Sequence, residues 1–218
     1  DARRAAELLV ADVRRLRVLI DDLMELSRFD AGAETIEATA LEPTDLVSTV
    51  RSIVASRLPE AELHVPGEAV VVDADVRRLD RIVGNLLDNA RQHAPDSTVD
   101  VEVAVEPGGG TAVVRVSDRG PGVAAEALPR LFDRFYKAEA SRSRGSSGLG
   151  LAIAAEHAAL LGGRLGAENR EGGGLAVTLR LPVSRSLRAG DGPDTAEVEA
   201  TGQSEAGLAS GPPARPNP

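Results

Sequence analysis

The stretch Arg77 to Pro95, RRLDRIVGNLLDNARQHAP, decides how the rest of the chain is read. With Val76 just before it, Leu79, Val83, Leu86, Leu87 and Ala90 recur at helical spacing and form one core-facing side. Asn85 and Asn89 lie four residues apart. At about 100° per residue they stand about 40° from one another on the helix surface. Two amides are thereby held at the edge of a buried face. Amide oxygens are hard, neutral ligands, suited to a Mg²⁺ that also holds phosphates and water. Two asparagines on a solvated helix face would need no such account, so the neighbouring segments must decide.

Two glycine-rich segments lie downstream. Asp118-Arg-Gly-Pro-Gly122 directly follows the alternating run Thr111 to Val116. Gly145-Ser-Ser-Gly-Leu-Gly-Leu151 runs into a helical pattern that continues to Leu161. Backbone amides at a helix N-terminus attract phosphate oxygens, and the immediate helix start favours that role over a plain glycine linker. The absence of a Walker lysine argues against a P-loop. Between the two sits Leu131-Phe-Asp-Arg-Phe-Tyr136.

Four such segments in this order resemble the catalytic ATP-binding core of bacterial sensor histidine kinases, within the superfamily shared with gyrase, Hsp90 and MutL. The likeness runs from about residue 1 to 182. Asn85 to His93 resembles the family's asparagine box, and Asp118 to Gly122 its first glycine box. Phe132 to Tyr136 resembles the phenylalanine box, and Gly145 to Gly150 the second glycine box. The resemblance implies ATP and Mg²⁺ as cofactors, with Asn89 on the metal and Asn85 supporting phosphates or metal. Gln92 stands where the family usually carries Lys or Arg; it keeps a donor but loses the charge. Asp118 would read the adenine amine, which guanine does not offer, with Gly120 and Gly122 allowing close approach of the base. Residues 137–147 resemble a nucleotide lid, from which Lys137, Arg142 and Arg144 would meet the phosphates. Gly145, Gly148, Leu149 and Gly150 would hold the phosphate end. Phe132, Phe135 and Tyr136 would anchor the start of the lid by packing, with Phe135 and Tyr136 bordering the ATP site. His93, at the helix end, reads as structural.

The chain has 218 residues, 42% of them hydrophobic, enough for one domain with an appendage. Aromatics are only 2%, and three of the four fall within Phe132 to Tyr136. Leu, Val and Ala must therefore fill the core. The net charge of −9 repels a phosphate backbone, so nucleic acid is not an expected partner. It also means that an ATP site must gather its positive potential locally. There is no cysteine, which excludes a disulfide framework and a cysteine metal site. No apolar run approaches the roughly 20 residues that span a bilayer.

Residues 1 to about 30 read as one helix. Ala6, Leu9, Val13, Leu16, Ile20 and Leu23 form a heptad seam, which favours a bundle or coiled coil. Its ending, Leu26 to Gly32, resembles the close of the second helix of the kinase dimerisation hairpin. Thr35 to Leu41 reads as a strand, and Thr44 or Asp45 as the cap of a helix halted by Pro59. Short strands are expected at Glu62 to Val65 and Ala69 to Val72, then hairpins over Thr98 to Val116 and Arg164 to Leu181, each turning on glycines. We therefore expect an α/β sandwich, a mixed sheet with helices on one face, preceded by a long helix. The expected units are residues 1–31, 32–182 and a disordered Gly/Pro/Ala-rich tail at 183–218.

The resulting expectation is transfer of the ATP γ-phosphoryl group to a histidine, for relay to the aspartate of a response regulator. Homodimerisation would run through the first helix, in the cytoplasmic part of a membrane-bound parent. His64, His93 and His157 all lie outside that helix, so the acceptor is expected upstream of Asp1, and a chain opening in mid-helix is expected to be a fragment. Two other classes stay open. A hydrolytic ATPase like gyrase or Hsp90 carries a glutamate base where this chain has Asn85, and an amide cannot take that proton. A dimer scaffold without nucleotide is the other, kept open by Gln92.

Overall fold

The computed structural model describes residues 2–32, 41–95, 97–138 and 147–184. Helix α1, Ala2–Asp30, is followed by strand β1, Glu42–Asp45, and helix α2, Leu46–Arg57. The Asp45 carboxylate accepts from Val47 N at 3.0 Å, satisfying one of the amides that a helix start leaves unpaired. The strand expected at Thr35 to Leu41 falls on undescribed residues except for Leu41, which is not in a strand. Pairing instead begins at Glu42, where β1 runs antiparallel to β3, Val71–Ala74.

Between them lies β2, Glu62–His64. Helix α3, Val76–His93, is the asparagine-bearing helix, capped by Asp75 on Arg77 N at 2.8 Å. Strands β4, Asp100–Val105, and β5, Thr111–Ser117, form the first hairpin. A short 3-10 turn at Ala125–Arg130 was not expected from the sequence. Helix α4, Gly150–Leu160, leads to β6, Arg164–Asn169, and β7, Leu175–Pro182.

The main sheet has the order β2-β4-β5-β7-β6, with β2 and β4 parallel and the other neighbours antiparallel. It is the mixed sheet expected. Alternation along β5 sends Ala112, Val114 and Val116 inward and Arg115 to the other face, where it pairs with Glu168. The inward residues share one core with Val50 and Ile53 of α2, Leu79, Ile82, Leu86 and Leu87 of α3, and Ala154 and Ala158 of α4. Aliphatic side chains fill it, as the composition requires.

The chain does not leave the fold at Pro182. Val183 bridges to Val72, and Ser184 Oγ donates to Asp73 Oδ1 at 2.7 Å, so two residues assigned to the tail are held against β3. The rest of that expected tail lies outside the described residues.

Helix α1 has two different sides. Its seam residues are exposed, from 49% at Leu23 to 65% at Leu9. The other side docks at its C-terminal end, where Leu26, 2% exposed, packs with Leu149, Ile153 and Phe29.

Candidate functional site

The site is a cleft of about 620 Å³ bordered by α3, by the segments flanking residues 139–146, and by α1. From α3 come Asn85, Asp88, Asn89, Gln92 and His93. The edge of the buried face thus presents Asn85 and Asn89 at i and i+4, as the spacing implied, with the amide of Gln92 at i+7 beside them. Asn85 Nδ2 is buried and has no hydrogen-bond partner among the described residues. An orphaned buried donor costs about 1–3 kcal/mol, so its position fits an anionic ligand.

Asp118 directly follows β5 and is 3% exposed. Its Oδ1 accepts from Gly120 N at 2.8 Å and Leu175 N at 3.3 Å. The backbone is clamped as well, with Asp118 N donating to Leu175 O at 2.9 Å and its carbonyl accepting from Arg170 Nη1 at 2.9 Å. Gly174, at φ +104°, passes so close that a Cβ there would collide with the Asp118 carbonyl. The carboxylate is oriented before any ligand arrives, and no described residue bonds its Oδ2.

At the start of α4, Gly148 adopts φ +73°, and a Cβ there would lie 2.9 Å from Tyr136 O. The Gly148 carbonyl accepts from Phe135 N at 3.0 Å, joining the two sides of the undescribed segment 139–146. Phe135 itself holds φ +61°, the left-handed region that costs a bulky residue energy. Its side chain is 59% exposed, so the expectation that it anchors by packing fails; the backbone bond holds it instead. Phe132 packs against the core as expected, and the Tyr136 ring is covered by the Arg130 guanidinium at 4.5 Å.

Of the residues singled out in the sequence, the cleft gathers Asn85, Asn89, Gln92, Asp118, Gly122, Tyr136, Lys137, Gly148 and Gly150. Gly120 supports Asp118 from behind, Leu149 is buried beneath α1, and Phe135 points elsewhere; none of the three lines the cleft. Arg142, Arg144 and Gly145 lie outside the described residues.

What sequence reasoning missed is the third wall, Arg15, Leu16, Val18, Leu19 and Asp22 of α1. A polar clasp holds it. Arg81, one turn before Asn85 on α3, donates to Asp22 at 2.6 Å and to Glu25 at 2.7 Å. Glu25 also meets His157 Nε2 at 2.6 Å, and the other nitrogen of that ring faces Arg78 Nη1 at 3.1 Å. Ser147 Oγ donates to Asp22 Oδ2 at 3.4 Å, linking α1 to the glycine turn. Arg134 forks onto Asp30 at 2.7 and 2.8 Å. Burial pushes the Asp22 carboxyl up against the opposing pull of Arg81. Burial pushes Glu25 the same way, but the bonds from His157 and Arg81 outweigh it and hold Glu25 below the usual carboxylate range. The signal was present in the sequence as acidic residues on the side of α1 away from the seam, but nothing local named their partners.

An amide-bearing helix, a clamped buried carboxylate and a glycine turn opening a helix, carried on this mixed sheet, define a nucleotide-binding α/β sandwich. Residues 74–185 match the family of histidine kinase-, DNA gyrase B-, and HSP90-like ATPases, and the chain belongs to that family. It is 41% identical over 207 residues to the signal transduction histidine-protein kinase AfsQ2 of Streptomyces coelicolor, across 93% of this chain and 37% of AfsQ2. Among solved structures it is similar to the mycobacterial sensor histidine kinase MprB, with a TM-score of 0.58 and 30% identity over 65% of this chain and 98% of that one. Full-length ShkA in complex with AMPPNP gives a TM-score of 0.63 and 26% identity over 84% of this chain and 39% of ShkA. The chain therefore spans about 37% of the length of AfsQ2. No helix among the described residues is long and apolar enough to cross a membrane.

Proposed function

We propose that this chain is the ATP-binding catalytic unit of a two-component sensor histidine kinase. In this reading it positions ATP for transfer of the γ-phosphoryl group to a histidine outside the chain, for relay to a response-regulator aspartate. The observation that carries the reading is the meeting in one cleft of the clamped Asp118, the α3 amides and the Gly148–Gly150 turn. The complex of ShkA with AMPPNP, an ATP-like nucleotide, supports the ligand class.

Asp118 accepts the exocyclic amine of adenine, and the fixed Oδ1 bonds keep its other oxygen aimed for that role. Asn85 Nδ2 and the amides at the start of α4 receive phosphate oxygens. Asn89, with a neutral hard oxygen, fits Mg²⁺, which when bound would neutralise charge on the phosphates. The remaining contribution is placement: phosphoryl transfer needs an in-line approach more than a covalent protein partner. None of the three histidines lies on α1: His64 is on β2, His93 ends α3, and His157 is buried under α1 with Glu25 and Arg78. The exposed seam of α1 is the surface for a homodimer, in the cytoplasmic part of a membrane-bound parent.

The test is calorimetric titration with MgATP and MgGTP, paired with labelling from γ-labelled ATP. ATP is expected to bind and GTP to bind much more weakly. The chain alone is expected to label no histidine, and addition of a helix hairpin bearing an acceptor is expected to yield an acid-labile, base-stable phosphohistidine. Equal affinity for the two nucleotides, or rapid phosphate release by the chain alone, would refute the reading.

A further inference from the structure

We infer that α1 is a working wall of the nucleotide cleft and that its Arg15 is a phosphate-facing cation of the site. This rests on the nucleotide reading given above. Three observations carry it.

The first is placement. The C-terminal end of α1 is fixed by Leu26 in its apolar socket and by the Arg81–Asp22–Glu25–His157 clasp. A continuous helix transmits that register. Arg15 lies seven residues before Asp22 on the same 29-residue helix. At about 100° and about 1.5 Å per residue it stands about 20° from Asp22 on the surface and about 10 Å up the axis. Both residues line the cleft, with Leu19 between them.

The second is charge. The α3 wall offers Asn85, Asn89 and Gln92, none of them charged. The acids that line the cleft are Asp22, Asp88 and Asp118. Arg81 pairs with the first at 2.6 Å and Arg91 with the second at 3.1 Å. Among the described residues, no cation bonds the carboxylate of Asp118. A polyphosphate entering this cleft must therefore find its positive charge on the other walls. The described Lys and Arg side chains lining it are Lys137 and Arg15, with the His93 imidazole at the end of α3.

The third is availability. Among the described residues, Arg15 is engaged by Asp12, one turn away, at 3.5 Å, with its side chain 69% exposed. Such a pair contributes little, so redirecting the guanidinium costs little. Its planar fork suits phosphate oxygens. A cation on α1 then occupies the role that Gln92, lacking a charge, leaves open on α3. It follows that phosphate affinity depends on whether α1 is docked.

The experiment measures affinity for MgATP and for adenosine in the whole chain, its Arg15→Ala variant and the double variant Arg15→Ala/Gln92→Lys. Alanine is a better helix former at an exposed position, so the fold is retained. Arg15→Ala is expected to weaken MgATP about threefold to tenfold, the range of a partly exposed charge-assisted contact, with adenosine unchanged. Gln92→Lys in the same background is expected to recover most of the loss. Unchanged MgATP affinity in Arg15→Ala, or equal weakening of MgATP and adenosine, would overturn the inference while leaving the nucleotide reading intact. An unmutated chain that binds neither ligand would instead overturn the nucleotide reading, and this inference with it.

Discussion

Replacing Asp118 by Asn tests the proposed adenine contact separately from the fold. In the structure Oδ1 accepts from Gly120 N at 2.8 Å and Leu175 N at 3.3 Å, and an amide oxygen can accept both in the same place. The Oδ2 position becomes an NH₂ group. It then meets the amine of adenine donor to donor, so a charge-assisted hydrogen bond is lost and a mismatch takes its place. Hydrogen bonds to charged groups contribute about 1.5–3 kcal/mol. At about 1.4 kcal/mol per tenfold, MgATP affinity should fall by about one to two orders of magnitude. Thermal stability should change by no more than a few degrees, because the clamped backbone bonds of Asp118 survive. Isothermal titration and a melting curve on the same samples provide both numbers. Unchanged ATP affinity would refute the assignment of Asp118. A large loss of melting temperature together with affinity would show that the carboxylate serves the fold rather than the base.

Asn89→Ala removes an amide oxygen from the cleft wall and should weaken ATP binding in Mg²⁺ but not in EDTA; equal loss in both titrations would exclude a metal role. Gly148→Ala forces a Cβ to 2.9 Å from Tyr136 O at φ +73° and should destabilise by about 1 kcal/mol or more while weakening ATP, as read by melting and titration. Docking of α1 should depend on pH. Glu25 is held below its ordinary value of 4.5, so its contribution is complete above that value and is lost as pH falls through its lowered one. Asp22 is raised above its ordinary 3.8, so it takes up its proton earlier in the folded protein and blunts that loss. Amide exchange across residues 19–30 should therefore stay slow down to about pH 4.5 and quicken below it. Quickening that begins near neutrality would put the control elsewhere in the clasp.

The core was legible because its signals are local. The period of α3, the alternation of β5 and the glycine turns each state which side is buried without reference to distant partners. The cleft was legible in part, since Asn85, Asn89 and Gln92 are fixed by one helix and Asp118 by its place at the end of an alternating strand. The contacts that were not legible are the long-range ones. Nothing beside Arg81 in the sequence says that Asp22 and Glu25, some sixty residues earlier, close on it at 2.6 and 2.7 Å. Phe135 was misjudged for a related reason. An aromatic residue in a cluster suggests packing, but Phe135 has a left-handed backbone at φ +61° and an exposed side chain, and backbone strain leaves no mark on composition.

The two sides of α1 also settle what docking costs a partner helix. The seam residues Leu9, Val13, Leu16, Ile20 and Leu23 centre on a direction nearly opposite to that of Asp22, Glu25, Leu26 and Phe29, by the turn of about 100° per residue. The second set is consumed by the cleft and the clasp, and the first stays exposed. A helix packed on its own domain alone would bury its apolar stripe, and this one buries a mixed polar side instead. Docking and bundle formation thus draw on largely different side chains, with Leu16, a seam residue that also borders the cleft, shared between them. A rotation of α1 imposed through the seam would move Asp22 and Glu25 away from Arg81 and shift the wall that carries Arg15. The clasp has a charged and desolvated character, so half-broken arrangements that leave Arg81 or Glu25 unpaired are unfavourable. That favours two distinct positions of the helix over a continuum.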